Sequence, residues 1–135
     1  MNYILLYFTA IILSFSIIGH GFILSKITNG ELSKYNLGYI GLLGLLSLVI
    51  ISYFTIYFTN HGYAHNLILH AIGIFSFFIH IKEKKLFREA IYLLILFSVL
   101  FCGLLIIRNH DDFNYYHLTY SLGLTEIKLF FGLGN

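Results

Sequence analysis

The chain has 135 residues, of which 59% are hydrophobic and 10% are charged. Soluble domains carry about 25% charged residues, so this composition excludes an ordinary soluble fold and suits lipid as the solvent. The net charge of +2 excludes a broad basic field, and we expect no nucleic acid partner. The single cysteine, Cys102, excludes a disulfide framework. P-loop, G-x-G-x-x-G and G-x-S-x-G motifs are missing from the sequence, so it offers none of these nucleotide or hydrolase signatures.

Four apolar stretches predict four transmembrane helices, because about 20 apolar residues are needed to cross the hydrocarbon layer. We place these spans at residues 3–25, 38–59, 66–81 and 90–107. The first run lacks a basic n-region and a small-residue cleavage site, which favours a retained span over a signal peptide. The third span is the shortest, and a re-entrant hairpin with the fourth is the alternative. Residues 82–89 provide a turn in water between them.

The basic residues predict the orientation of the spans. Six of the eight Lys and Arg residues lie in two connectors that four spans place on one side. They are Lys26, Lys34, Lys82, Lys84, Lys85 and Arg88. The positive-inside rule puts this side in the cytoplasm, so both termini face outward. Helical spans favour a bacterial inner membrane over an outer membrane, where barrels dominate.

A row of small residues marks one face of the second span. Gly38, Gly41, Gly44 and Ser47 recur at intervals of three, and such a row allows another helix to approach closely. We predict packing within the bundle rather than a ligand site.

The outward segment 108–135 has a helical pattern of its own. One face would be apolar and the other polar, which predicts an amphipathic helix on the membrane surface. The apolar face consists of Phe113, Tyr116, Tyr120, Leu124, Ile127 and Phe131, and the polar face of Asn114, His117, Ser121, Thr125 and Lys128. Gly123 leaves two shorter helices as an alternative, because glycine destabilises a helix interior. The predicted fold class is all-α and integral to the membrane, with four transmembrane helices followed by this surface helix.

Asp111 and Asp112 are the first candidates for catalysis. Adjacent carboxylates repel, which can raise the pKa of one of them and suit it to act as a general base. Their oxygens also suit Mg²⁺ or Mn²⁺. His110 and His117 are candidates for binding a substrate or carrying protons. The alternative is structural, since either aspartate can cap the surface helix by accepting hydrogen bonds from its free N–H groups.

The remaining histidines form two groups. His61 and His65 lie four residues apart near the outer face and could join His110 and His117 in a transition-metal site. Solvated or hydrogen-bonded interface histidines are the alternative, because the glutamate of an HExxH motif is missing.

The second group, His20, His70 and His80, lies within the spans. We consider a haem- or quinone-linked bundle or a proton path, with interhelical hydrogen bonds as the structural alternative.

Residues 110–117, HDDFNYYH, and 131–135, FGLGN, carry a family resemblance. A span that opens into an outward Asp-Asp loop, followed by aromatic residues and histidine, resembles the first catalytic loop of GT-C-type glycosyltransferases. The two segments look like the N-terminal part of large, uncharacterised bacterial polytopic membrane proteins, which are associated with surface-polysaccharide genes.

The resemblance implies sugar transfer from a polyprenyl-phosphate sugar at the outer face of the inner membrane. Asp111 or Asp112 would then be the base or metal ligand, and His117 a nearby polar contact. GT-C enzymes have many more spans, so we expect this chain to be part of a longer protein. The competing hypotheses are a small four-helix membrane protein with a structural or assembly role and the haem- or quinone-linked bundle. Membrane lipid is a partner under every hypothesis.

Overall fold

The computed structural model of the protein describes residues 2–28, 35–104, 106 and 117–129. Within these residues the chain forms five helices and no strand. They are α1 (Tyr3–Ile27), α2 (Leu37–Thr55), α3 (Tyr63–His80), α4 (Lys84–Leu104) and α5 (His117–Glu126). Helices α1 to α4 are long and apolar enough to cross a membrane. The prediction of an all-helical, multi-pass membrane protein is therefore confirmed.

Asparagine side chains define where the first two helices begin. The Asn2 side chain accepts a hydrogen bond from the Leu5 N–H, and Asn36 accepts one from the Tyr39 N–H at 2.7 Å. Each asparagine satisfies one of the backbone donors that the first turn of a helix leaves without an intrahelical partner. The second span therefore begins at Leu37, one residue from its predicted start.

The predicted water-exposed turn at residues 82–89 is wrong for most of its length. Helix α4 begins at Lys84, so the connector between α3 and α4 comprises only residues 81–83. An apolar run does not mark the end of a helix, because lysine, arginine and glutamate are good helix formers and can extend the helix beyond its apolar residues. Their long side chains can extend from the helix towards water.

Other predicted boundaries also shift. Helix α3 begins at Tyr63 rather than at residue 66, whereas the predicted end of the fourth span, residue 107, lies outside the described residues. Helix α2 ends at Thr55, four residues before the predicted end of the second span. At 18 residues, α3 is about 27 Å long, which is enough to cross the hydrocarbon layer as one helix.

Helix α1 is the centre of the bundle, and glycines bring its neighbours close to it. A Cβ atom at Gly19 would overlap the carbonyl group of Gly73 in α3. One at Gly21 would overlap the carbonyl group of Ile40 in α2. Only glycine permits such backbone contact between helices.

Two cross-helix contacts show the direction of α3. Ser16 contacts His70, and Phe22 lies against His80 with ring centroids 5.3 Å apart. Both pairs advance in the same sense along the two helices. Helices α1 and α3 are therefore parallel to each other.

Helix α4 is attached to this core near its two ends. Towards one end, the hydroxyls of Tyr7 and Ser98 lie 2.6 Å apart. Towards the other, a carboxylate oxygen of Glu89 accepts a hydrogen bond from the Leu37 N–H at 2.7 Å. Between these attachments α1, α2 and α4, with Phe77 of α3, line an open apolar cleft of about 310 Å³, which we call the α4 cleft.

Two glycines of α2 border the cleft. A Cβ atom at Gly41 would meet only the Ile18 side chain, at 3.9 Å, and both Gly38 and Gly41 line the cleft. Gly44, one turn further along, differs, because a Cβ atom there would overlap the Ile17 carbonyl. The predicted packing of the small-residue row is thus confirmed for Gly44 and wrong for Gly38 and Gly41.

The bundle has two chemically different ends. The basic end carries exposed side chains on the last turn of α1, on the α3–α4 connector and on the start of α4. They are Lys26, Lys82, Lys84, Lys85 and Arg88. The opposite end carries the α2–α3 connector, residues 56–62, and we call it the histidine end.

Candidate functional site

The residues predicted for catalysis lie mainly outside the described part of the chain. His110, Asp111 and Asp112 fall between Ile106 and α5, so the roles assigned to them stay predictions. His117 is the first residue of α5 and is exposed to solvent.

Helix α5 is docked on the α2–α3 connector. The His61 N–H donates to the Leu124 carbonyl oxygen at 2.8 Å, and the Leu129 N–H donates to the Ile56 carbonyl oxygen at 3.1 Å. The Asn60 side-chain amide adds a third bond, to the carbonyl oxygen of Glu126. These bonds hold the C-terminal half of α5 and the residues after it at the histidine end.

The helix itself differs in part from the expected pattern. It runs through Gly123 without a break, so within the described residues the alternative of two helices around this glycine is wrong. No residue of α5 is buried, and Tyr120 on the predicted apolar face is 64% exposed. Its position on a membrane surface stays a prediction.

A cluster of four polar side chains lies under this docked segment. It consists of Thr55, His61, His65 and Asn66, and we call it the histidine cluster. The Thr55 hydroxyl oxygen is 3.1 Å from Nε2 of His61 and 3.0 Å from Nε2 of His65. Asn66 completes the cluster through its amide oxygen, 3.1 Å from Nδ1 of His65.

The hydrogen bonds of the cluster limit where its protons can lie. The Asn66 amide nitrogen donates to the His61 carbonyl oxygen at 2.8 Å, so the amide oxygen faces His65. His65 can then donate from Nδ1. The Thr55 hydroxyl has one proton and three neighbours, because it also donates to the Ser52 carbonyl oxygen at 3.4 Å. Its oxygen can accept a proton from Nε2 of either imidazole.

Burial favours the neutral form of His61. The loss of hydration lowers the pKa of this imidazole below its usual 6.5, and the neighbouring His65 lowers it further. Two stacked rings disfavour a second positive charge, which is the expected effect of a like charge at short distance.

The geometry of the cluster argues against the predicted transition-metal site. The rings of His61 and His65 are stacked with centroids 4.4 Å apart and planes within 7° of parallel. Nε2 of both rings faces the Thr55 hydroxyl oxygen, at 3.1 and 3.0 Å, so a metal ion bound by both nitrogens would have to displace this hydroxyl. Among the described residues there is no group of three or more histidine, cysteine or carboxylate side chains that could hold a metal ion. The interpretation as hydrogen-bonded interface histidines is confirmed for this pair.

Two of the membrane-embedded histidines bridge α1 and α3. His20 donates from Nε2 to the carbonyl oxygen of Leu69 at 2.9 Å. His70 approaches the Ser16 hydroxyl with its Nδ1 at 3.0 Å. The structural alternative, interhelical hydrogen bonding, is confirmed for both residues. Since a backbone carbonyl oxygen has no proton to pass on, the contact of His20 does not continue a proton path.

His80 is the exception. Its Nδ1 donates to the Ser76 carbonyl oxygen at 2.8 Å, while its buried Nε2 has no hydrogen-bond partner in the described part of the chain. Pairing it with His20 around a haem would require space between α1 and α3. The backbone contact between Gly19 and Gly73 closes that space.

Comparison with protein-family models, with curated proteins and with solved structures finds no match for this chain. Sequence reasoning identified the histidines of the cluster but overlooked Thr55, Asn60 and Asn66. A short polar run, TNHGYAHN at residues 59–66, is the signal that could have found the two asparagines, since polar side chains in a tight connector often bond its backbone.

Proposed function

We propose that this chain is the N-terminal, membrane-embedded part of a GT-C-like glycosyltransferase of the bacterial inner membrane. The enzyme would take its sugar from a polyprenyl-phosphate sugar at the outer face. The resemblance of residues 110–117 to an acidic catalytic loop supplies the reaction class.

One structural observation carries the proposal further, namely the docking of α5 on the connector at residues 56–62. Residues 110–117 come after α4 in the chain, and His117 is the first residue of α5. Three hydrogen bonds hold the C-terminal part of α5 and Leu129 against that connector. Catalytic groups are commonly carried by loops that a rigid scaffold positions. The bonds supply this type of support at the histidine end of the bundle. The positive-inside rule assigns this end to the outer face, because the basic residues lie at the other end.

The proposed chemistry needs one carboxylate. As the acceptor hydroxyl attacks the anomeric carbon, its proton passes to Asp111 or Asp112, and the bond from the sugar to the phosphate oxygen breaks. His110 and His117 would hydrogen-bond the phosphate group. Mg²⁺ or Mn²⁺ suits carboxylate oxygens. The described residues contain no group of three or more histidine, cysteine or carboxylate side chains for such an ion, and we derive no step through one.

Substitution of the two aspartates tests the proposal. Asp111→Asn and Asp112→Asn are introduced separately into the full open reading frame, and membranes are assayed for glycan product with a polyprenyl-phosphate sugar. Loss of a general base lowers the rate about 10²- to 10⁴-fold, so we expect a loss of this size for one of the two. Glu126→Gln is the matched control, because Glu126 contributes only its backbone carbonyl to the docking of α5. Normal product from both aspartate variants would overturn the proposal.

A small structural or assembly protein is the second candidate function. It is supported by the pairing of His20 with Leu69 and of Ser16 with His70, because these membrane-embedded polar groups bond one another and stabilise the bundle. It predicts tolerance of both aspartate substitutions. Sequencing the transcript past the codon for Asn135 also separates the candidates, since the enzyme requires further spans in the same frame.

A further inference from the structure

The histidine cluster and the docked α5 segment share one residue, His61. Its backbone N–H donates to the Leu124 carbonyl oxygen of α5 at 2.8 Å, and its own carbonyl oxygen accepts the Asn66 amide at 2.8 Å. Its ring lies on that of His65, with centroids 4.4 Å apart and planes within 7° of parallel. One of the backbone bonds that hold α5 therefore belongs to the same residue as one of two stacked, titratable rings.

The connector on both sides of His61 also contacts α5. A Cβ atom at Gly62 would lie 3.3 Å from the Thr125 carbonyl oxygen, so the two backbones approach closely here. Before His61, the Asn60 side chain bonds the Glu126 carbonyl oxygen. Since His65 lies on helix α3, the connector is the part that moves when the stacked rings separate. Such a movement would break the contacts that dock α5.

The cluster can accommodate one positive charge. Both nitrogens of His65 face oxygen atoms, Nδ1 the Asn66 amide oxygen at 3.1 Å and Nε2 the Thr55 hydroxyl oxygen at 3.0 Å. When both nitrogens carry protons, this ring can donate to both oxygens. The hydroxyl oxygen has two lone pairs, so it can also accept Nε2 of His61 while its own proton goes to the Ser52 carbonyl oxygen. One imidazolium ion is thus compatible with these hydrogen bonds.

A second positive charge is opposed by the stacked geometry. Two imidazolium rings with centroids 4.4 Å apart repel each other, because a like charge at short distance disfavours the charged form. Burial and the neighbouring His65 accordingly lower the pKa of His61 below its usual 6.5. The docked cluster therefore binds fewer protons in acid than two separate histidines would.

The other ionisable groups near His61 do not offset this repulsion within the described residues. Helix α2 has no acidic or basic residue, and tyrosines are neutral in the pH range where histidine titrates. On α3, the next ionisable ring after His65 is another imidazole, His70. On the docked segment, Glu126 and Lys128 are exposed and opposite in charge, so water screens both.

We propose that the histidine cluster is a pH-sensitive latch, which holds α5 on the connector near neutral pH and releases it in acid, when both histidines bind a proton. The released connector binds one more proton than the docked one, so the docked fraction decreases as the pH falls below about 6.5. The latch does not depend on the proposed sugar transfer, because none of residues 110–116 belongs to it. For the proposed enzyme, release would remove the support of the acidic segment.

Spin-label distance measurement on the full chain in lipid nanodiscs tests the latch. Nitroxide labels are attached to Phe58→Cys and Tyr120→Cys in a Cys102→Ala background, since both labelled positions are exposed. We expect a narrow distance distribution at pH 7.5 and an additional broad component at pH 5.5. A proton that binds only the released form lowers the ratio of docked to released chains by up to about tenfold at pH 5.5.

Substitution of one ring separates the latch from other effects of acid. His61→Gln leaves a single imidazole in the cluster, so its distance distribution should be the same at both pH values. His117→Gln is the matched control, because His117 is an exposed imidazole on α5 outside the cluster. This control should keep the full acid response of the unsubstituted chain.

Two results would overturn the latch. One is a distance distribution of the unsubstituted chain that does not change between pH 7.5 and pH 5.5. The other is an acid response that persists in His61→Gln, which would assign it to a group outside the stacked pair. A narrow distribution at pH 7.5 shows that His61→Gln is folded and docked. Should α5 be released there, His65→Gln replaces it, since it also leaves one ring.

Discussion

Helix α1 meets α3 and α4 in two different ways. Against α3, Gly19 and Gly73 bring the two backbones into direct contact, and side-chain hydrogen bonds cross the interface. Against α4, contact is concentrated at Tyr7, and the α4 cleft separates the helices further along. All three helices are apolar enough to cross a membrane. In lipid, where there is no hydrophobic driving force between helices, the position of small and polar residues therefore decides which pairs pack closely.

The comparison predicts opposite effects for the same substitution at two glycines. Gly19→Leu should destabilise the bundle by about 3 kcal/mol or more, because its side chain would force the α1 and α3 backbones apart. Gly41→Leu should leave stability unchanged or raise it, since its side chain enters the cleft and glycine is the poorer helix former. Unfolding in mixed micelles with increasing SDS measures both. Equal destabilisation by the two would show that the cleft is as tightly packed as the α1–α3 interface.

The attachment of α4 at the basic end gives a smaller expected effect. Glu89→Ala removes the carboxylate that accepts the Leu37 N–H and should cost about 2 kcal/mol, the usual size for a hydrogen bond to a charged group. Glu89→Gln keeps an acceptor and should cost about half as much. Glu83→Ala in the preceding connector is the control, measured by the same SDS titration. An equal loss of stability in Glu83→Ala would mean that the effect of Glu89→Ala comes from removing a negative charge near the start of α4. It would not then come from the hydrogen bond to the Leu37 N–H.

The smallest expected effect is a pH dependence at the histidine end. The pKa of His61 is lowered in the folded protein, so below about pH 6.5 the unfolded chain binds more protons than the folded one. The contribution of the neutral imidazole is complete above pH 6.5 and decreases as the pH falls towards the folded pKa. The protection factors of the His61 and Leu129 amides in hydrogen exchange measure this contribution. They should be lower at pH 5.5 than at pH 7.5.

A variant without a titrating ring isolates this effect. His61→Gln should keep similar protection at both pH values, because an amide side chain can still donate to Thr55 but binds no proton in this range. A pH dependence that persists in this variant would come from another group.

Much of the architecture follows from sequence patterns that act locally. Runs of about 20 apolar residues predict spans because the requirement to satisfy backbone hydrogen bonds in lipid belongs to each segment alone. The predicted helix boundaries were less accurate, because the apolar run was placed from residue 90 whereas helix α4 already begins at Lys84. The sequence suggested that the histidines form interhelical hydrogen bonds, but it did not identify their partners, Ser16 for His70 and the Leu69 carbonyl for His20.

The sequence alone determined that the chain has four helical segments apolar enough to cross a membrane and that six of its eight basic residues fall in two connectors, because composition and charge act residue by residue. Only the tertiary structure decided that Gly44 packs while Gly41 borders a cleft, because that depends on which helix lies opposite. It likewise decided that His61 and His65 stack around Thr55, since ring orientation follows from the contacts of the folded connector and not from a spacing of four.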